Sequence, residues 1–493
     1  MDPLPPSEES SGATLHSGYT RYRIIVKPAP PLFKEPARFE PKVKKSRLAK
    51  MLIAEFFDYA LRGPTKASSS GGPEGTSAGT FRERMEALLD RPCIYGTFGS
   101  RVGGFHPIKE KCTACMRCKQ EYPDVIEDVV VTSDFAALNG FGMKPEEVMT
   151  VWYEAREGKE LVKGMGYKGS FAGPGWDSIW LDMSEIVRPT RDGKMGREYI
   201  STSVDIGRRP MFYSEDSLTS VKTVTVQLPI LFDFGDASWL NASVVGSTIR
   251  AAQRCGTMAV LPIGTYSGLR DDEKSCAIPL ASPSEGPSSG AMGPPPAVEI
   301  ENPLEFDLTK VQDSSEVVIA RVPASGRAEE SVLELTRRGF HAIHLVFSPD
   351  GRDVSGGGIH AKDLIKSVHA RLVKECVRDN VSILVSGGIT MAEHVPKAIL
   401  CGCDAVALDT AVHVALQSNF DIRGGRYLIK PNRFDEEWGA QRLANLLAAW
   451  HEEFIEALSA MGKRDGRRLR GDVGRGIFYE ELQKEAFGDI EVG

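Results

Sequence analysis

The chain has 493 residues, 41% of them hydrophobic and 26% charged, with a net charge of −7. At roughly 100–200 residues per domain this length makes two to four units. A β/α barrel takes about 250 residues, so one barrel plus a smaller module fits. The acidic balance argues against a general nucleic-acid binder, and no run of about 18 apolar residues is present to span a membrane.

In chain order, residues 1–20 are acidic and Pro/Ser-rich. They predict a disordered tail without the basic start and apolar core of a secretory signal. A short β-like run, Tyr22–Val26, and a helix over 48–62 with apolar residues at helical spacing follow. Residues 64–80 are low-complexity and read as a flexible insert. With the cysteine cluster of 81–125, residues 21–135 make one small module. From 136 to 435 the text alternates. Strands are predicted at 317–320, 341–347, 381–385 and 405–408, and helices at 328–338, 361–378 and 392–400. That rhythm implies parallel strands with helices outside, a (β/α)8 TIM-type barrel. A second low-complexity insert, 281–297, falls inside it. Helices over 437–462 and 476–487 place residues 436–493 as a C-terminal layer packed on the barrel.

Nine cysteines occur, an odd number. In a long chain without a signal this points to a reducing, cytoplasmic compartment and to metal ligation rather than a disulfide framework. Three cluster as Cys112-Thr-Ala-Cys115-Met-Arg-Cys118-Lys-Gln-Glu-Tyr122-Pro123. This is the C-x2-C-x2-C ferredoxin run with its last cysteine replaced by tyrosine. In two-cluster ferredoxins that last cysteine serves the other cluster. The missing ligand is therefore expected from a distant cysteine, and Cys93 is the candidate. Soft thiolates suit iron–sulfur chemistry, so the expectation is one 4Fe–4S cluster on Cys93, Cys112, Cys115 and Cys118. Zinc, a three-iron cluster on the triplet alone, and plain buried thiols are the alternatives.

The segment Asp182–Gly193, continuing through Gly196-Arg197-Glu198-Tyr199-Ile200-Ser201-Thr202, resembles the start of the FMN-binding synthase domain of the glutamate synthase family. More narrowly, it resembles the short archaeal and anaerobe-type proteins that join a ferredoxin-like module to that domain. Glu437–Arg442, Ala449-Trp450-His451 and Arg468–Arg475 resemble the same family's C-terminal helices, so the resemblance runs from about Thr20 to Ile490. It implies an FMN-binding barrel. Ser386-Gly387-Gly388 ends a predicted strand before a helix, where glycines and a helix start suit a phosphate; a plain strand-to-helix turn is the other reading. Asp409-Thr410 ends the next strand at the same barrel face. Where the family has a lysine near the flavin this chain has Arg321, which keeps charge but not proton transfer. No catalytic residue is assigned.

Gly164-Met165-Gly166-Tyr167-Lys168-Gly169 matches a dinucleotide fingerprint but lacks the strand–helix context that the chemistry needs, and reads as a loop. His341 and His344 read as packing residues, His360 as a helix cap, and Cys401 and Cys403 as small buried side chains. The basic runs 42–50 and 463–475 read as solvated faces or as docking for a redox partner. Two functional readings follow. One is an iron–sulfur flavoprotein that passes electrons from the cluster to FMN to reduce an imino or oxo acid. It would be fed by a partner subunit or a ferredoxin-like donor within an oligomer or hetero-complex. The other is a catalytically silent subunit of the same type, acting as scaffold or electron relay.

Overall fold

A computed structural model of the chain describes residues 24–62, 93–99, 105–138, 143–160, 173–183, 199–208, 222–235, 237–282, 295–308, 317–423 and 426–488. The 1–20 tail, the 64–80 insert, most of the 281–297 insert, Gly164–Gly169 and Ser184–Glu198 lie outside the described residues. The chain divides into two units, Pro31–Gly140 and Met1–Pro30 with Phe141–Gly493.

In the smaller unit, β1 (Phe39–Val43) leads into α1 (Lys45–Arg62). After the cysteine run come α2 (Arg117–Glu121), β2 (Ile126–Val131) and α3 (Ser133–Ala136). β1 and β2 pair antiparallel, Phe39 opposite Val131. Leu48, Phe98, Val125 and Ile126 form a small core that includes Cys93 and Cys118. Among the described residues the unit holds this one two-stranded ladder, so the ferredoxin-like reading rests on cysteine spacing rather than on a matched fold.

The larger unit begins with α4 (Pro145–Glu157), β3 (Ile179–Leu181) and the hairpin β4 (Val204–Arg208) and β5 (Lys222–Val226). Then come β6 (Ile230–Asp233), α5 (Ala242–Cys255), β7 (Ala259–Pro262), α6 (Ile263–Ser267), α7 (Asp271–Lys274), β8 (Ala277–Ala281) and β9 (Ala297–Ile300). They are followed by β10 (Val317–Pro323), α8 (Ala328–Arg338), β11 (Ala342–Val346), α9 (Ala361–Lys374), β12 (Ser382–Ser386), α10 (His394–Cys401), β13 (Ala405–Leu408) and α11 (Thr410–Ala415). The chain finishes with the hairpin β14 (Asn419–Arg423) and β15 (Arg426–Lys430), α12 (Glu436–Ala460), β16 (Gly476–Phe478) and α13 (Tyr479–Phe487).

Strands β6 to β13 close into one eight-membered barrel, and every barrel pairing is parallel. This is the (β/α)8 fold that the βα rhythm predicts. The strands are short apolar runs buried on both faces, as a sheet wrapped in helices requires. Alternation sends Val317 and Ile319 of β10, Leu384 of β12, and Ala405 and Ala407 of β13 into one interior cluster. Val204, Ile206 and Val226 of the β4–β5 hairpin join that cluster. The hairpin sits at the strands' N-terminal ends, where Gly207 N–H donates to Ser382 Oγ at 3.0 Å. The floor of the barrel is thus plugged, and the C-terminal mouth is left for a site.

Helix α12 is the main outer brace, capped by Asp435, whose side chain accepts from Trp438 N–H. Its buried Arg442 donates to the carbonyls of Ala415 and Ala29, at 2.6 and 3.0 Å. Asn445 Nδ2 donates to Lys27 O at 2.8 Å. Residues up to Pro30 therefore belong with the barrel unit rather than with the cysteine unit.

Candidate functional site

The barrel mouth is built by continuing the inward alternation of each strand to its C-terminal end. Asp233 ends β6, Glu299 lies on β9, Arg321 on β10, His344 on β11 and Ser386 ends β12; Asp409 follows β13. Arg321 makes a forked pair with Asp233, at 3.0 and 2.9 Å. It also donates to Glu299 Oε1 at 2.7 Å. The same Glu299 oxygen lies 2.9 Å from His344 Nδ1. Glu299 and His344 are 0% exposed. A carboxylate buried this deeply survives only if it is paired.

The electrostatics follow. Burial works against an ionised Asp233, but the charges of Arg321 and His344 outweigh it and hold the carboxyl at about 2. Glu299 is likewise lowered against its burial by His344 and Arg321. Arg321 is lifted above its ordinary value by the two carboxylates, despite burial. Asp409 goes the other way. Burial first, and then the charge of Asp233, push it up to about 6, although the Thr410 N–H favours its ionised form. That N–H donates to Asp409 Oδ1, so the carboxylate caps the start of α11.

Two buried atoms at this mouth, Glu299 Oε2 and His344 Nε2, have no partner of hydrogen-bonding geometry among the described residues, while Ser386 Oγ and Thr410 Oγ1 face the Asp233 and Asp409 carboxylates. Such atoms call for an explanation, and an absent ligand or water is the usual one.

The glycines predicted to hold a phosphate have another reason to be glycines. Gly387 and Gly388 both have positive φ, 89° and 72°. A Cβ on Gly387 would lie 2.3 Å from Phe347 O, and one on Gly388 would lie 2.3 Å from the Cα of Gly351. The 347–351 loop crosses too closely for any side chain there. Trp176 Nε1 donates to Gly388 O at 3.0 Å and stacks on His394. His360 packs edge-on against Trp176 and caps α9, its Nδ1 accepting from Lys362 N–H at 3.2 Å. Sequence reasoning missed Asp233 and Glu299 and read His344 as packing. The available signal was a lone charged residue inside an apolar strand, as in Ala297-Val298-Glu299-Ile300.

In the smaller unit Cys93, Cys112, Cys115 and Cys118 all line one cavity. Its other walls are largely apolar: Pro41, Tyr95, Phe98, Met116 and Val129. Burial, and then the neighbouring Cys112, Cys115 and Cys93, push the Cys118 thiol up to about 11. The loop that presents the triplet is strained. Ala114 and Met116, each lying between two cysteines of the run, have φ of 51° and 64°. A left-handed non-glycine residue costs about 1–2 kcal/mol, and such strain gathers at functional sites. Among the described residues no group of three His, Cys, Asp or Glu side chains has the geometry of a single-ion site; the four thiols surround a space instead. Cys401 and Cys403 are buried in the barrel unit, Cys401 with its thiol pushed up to about 12.

These features define a (β/α)8-barrel protein with a charged cluster at its C-terminal mouth and a separate four-cysteine pocket. Residues 353–420 match the family described as the conserved region in glutamate synthase, a stretch that contains Ser386–Gly388 and Asp409-Thr410. The chain is 25% identical over 450 residues to an archaeal-type glutamate synthase [NADPH] of Dehalococcoides mccartyi, covering 76% of this chain and 89% of that one. It is 38% identical over 147 residues to the archaeal glutamate synthase [NADPH] of Methanocaldococcus jannaschii, covering 27% of this chain and 28% of that one. Among solved structures it is similar to a flavocytochrome b2 double mutant with pyruvate bound, at a TM-score of 0.44 and 10% identity, covering 73% of this chain and 91% of that one. The chain is thus similar, over most of its length, to glutamate synthases of the archaeal type. No helix among the described residues is long and apolar enough to cross a membrane.

The FMN that the resemblance implies can be tested against the mouth. Glu299 Oε2, His344 Nε2, Ser386 Oγ and Thr410 Oγ1 are buried polar atoms that suit a polar ligand such as a flavin. The phosphate end fits least, because the Asp409 carboxylate already caps α11 there.

Proposed function

We propose that this chain is an oxidoreductase subunit of the glutamate synthase kind. It would take electrons from a partner subunit or ferredoxin-like donor at the four-cysteine site and use them in the barrel to reduce an imino or oxo acid. The observation that carries the reading is the cavity lined by all four cysteines, Cys93 lying far upstream of the other three. Four soft ligands around an apolar space suit a 4Fe–4S cluster. When bound, the cluster and the flavin supply the electron and hydride chemistry, and the protein holds and tunes them.

The chain's own residues have definite parts. Arg321 is fixed by Asp233 and Glu299, so it presents a positive edge that neither swings away nor gives up its proton. His344 shares a Glu299 oxygen through Nδ1 and keeps Nε2 toward the mouth for a ligand. The hairpin β4–β5 closes the far end and keeps water from entering from below.

The test is anaerobic purification of the full chain followed by an absorption spectrum and iron, sulfide, zinc and flavin analysis. The expected result is about four iron and four sulfide per chain with a flavin band. Zinc without sulfide would overturn the cluster. A second reading, a catalytically silent relay or scaffold, is favoured by the buried Asp409 at the phosphate end; it predicts iron and sulfide with no flavin taken up.

A further inference from the structure

We propose that Asp409 is a built-in anion that keeps phosphate out of the barrel mouth, so that the site takes a flavin lacking the terminal phosphate in preference to FMN. This rests on the flavin reading above and names the form of the ligand.

In β/α barrels, phosphate is held by the loops after the seventh and eighth strands together with the start of a short following helix. Here those strands are β12 and β13, and the short helix is α11. Asp409 shares the inward face of Ala405 and Ala407, which lie in the barrel interior. Its carboxylate takes the first N–H of α11 for itself, so one donor a phosphate would use is already bound to a negative oxygen. Asp233 adds a further negative charge close to Asp409, while Arg321, the nearby cation, is committed to Asp233 and Glu299. The loop after β12 offers little compensation, since Gly387 and Gly388 make room for the 347–351 backbone.

What remains is neutral. Ser386 Oγ and Thr410 Oγ1 are hydroxyls on residues 1% exposed, facing the Asp233 and Asp409 carboxylates and carrying no charge of their own. They suit the hydroxyls of an uncharged ribityl chain, which needs donors and acceptors but no counter-charge. A dianion placed beside Asp409 meets like charge in a site of low dielectric, where such juxtaposition is strongly disfavoured.

The experiment is direct binding of riboflavin and of FMN to the full chain at pH 8, read by quenching of flavin fluorescence and by calorimetry. Wild type is expected to bind riboflavin more tightly than FMN by a factor of about ten or more. Asp409→Gly and Asp409→Asn are expected to gain FMN affinity by a similar factor while riboflavin affinity stays within about threefold. Asp409→Asn keeps the acceptor that caps α11, so one variant retains the local fold if the glycine variant does not. FMN binding as tightly as riboflavin to wild type, or a riboflavin-to-FMN ratio unmoved in both variants, overturns the proposal and leaves the flavin reading standing. Failure of wild type and both variants to take up either flavin overturns both.

Discussion

The cysteine pocket and the barrel mouth gather polar groups in opposite ways. The pocket brings four side chains of one kind to an apolar cavity, three of them within a seven-residue run. The mouth brings together different groups from separate strands and satisfies most of them internally: Arg321 with Asp233 and Glu299, Glu299 with His344, and Asp409 with its own helix start. A pocket of like thiols has no ion pair of its own to form, and under the proposed reading its thiolates take an external metal centre. The mouth has largely solved its own electrostatics and is held in shape without a ligand. The first region should therefore be sensitive to loss of any one donor, and the second to loss of Arg321.

The largest effect is expected in the pocket. Cys93→Ser removes the one ligand that the triplet cannot replace locally. Iron per chain, measured after anaerobic purification, should fall from about four to three or fewer, and the visible band should bleach. Cys376→Ser, at an exposed cysteine that does not line the cavity, should leave both unchanged. An unaltered iron content in the Cys93 variant would mean that the pocket does not act through all four thiols.

In the mouth the corresponding change is Arg321→Met. It leaves Asp233 and Glu299 buried without their cation, and breaking a buried pair in this way costs about 3–5 kcal/mol. Urea denaturation of the full chain should show that loss in the barrel transition. Arg321→Lys should recover only part of it, because an ammonium cannot fork onto Asp233 while reaching Glu299. A loss below about 1 kcal/mol, the range of exposed pairs, would show that the cluster is not desolvated as its burial implies.

The same contrast explains what can be read in the sequence. That Cys112, Cys115 and Cys118 line one cavity is legible from their local spacing, and that Cys93 joins them is legible from the tyrosine at position 122, which stands where the ferredoxin run has its last cysteine. The barrel is legible from the βα rhythm, since short apolar strands alternating with amphipathic helices leave few other topologies. The ionic cluster is not. Asp233 and Arg321 are 88 positions apart, and only barrel closure between β13 and β6 sets them on one rim. His344 gives no local hint, because its partner Glu299 is on another strand. Gly387 and Gly388 are legible as backbone that must come close to something; the alternation of letters does not say that the neighbour is the 347–351 chain. Asp409 is legible as the end of a barrel strand, but whether its carboxylate or only its backbone matters depends on burial, which sequence does not fix.

The smallest predicted effect turns on that carboxylate. Asp409 is raised from 3.8 to about 6. For a raised acid, the stability it contributes is fully present below the unfolded value and is lost as pH rises through the folded one. Ionising Asp409 therefore costs the fold up to roughly 2–3 kcal/mol between pH 4 and pH 7, at about 1.4 kcal/mol for each tenfold difference in proton affinity between folded and unfolded chains. Asp233 is held down at about 2, so its stabilisation is complete above 3.8 and is lost only toward pH 2; it adds no slope in this window. His341, His360 and His369, each lowered to about 4 by burial and then by neighbouring cations, slope the opposite way, losing stability as pH falls below 6.5. They are common to both chains when wild type is compared with Asp409→Asn, and they cancel in the difference. The variant should unfold at higher urea than wild type at pH 8, by up to those roughly 2–3 kcal/mol, with the gap closing by pH 4. A gap independent of pH would mean that the carboxyl binds its proton equally well in the folded and unfolded chains. Asp409 would then not be raised by burial, and the mouth would lack the desolvated negative charge that sets it apart from the thiol pocket.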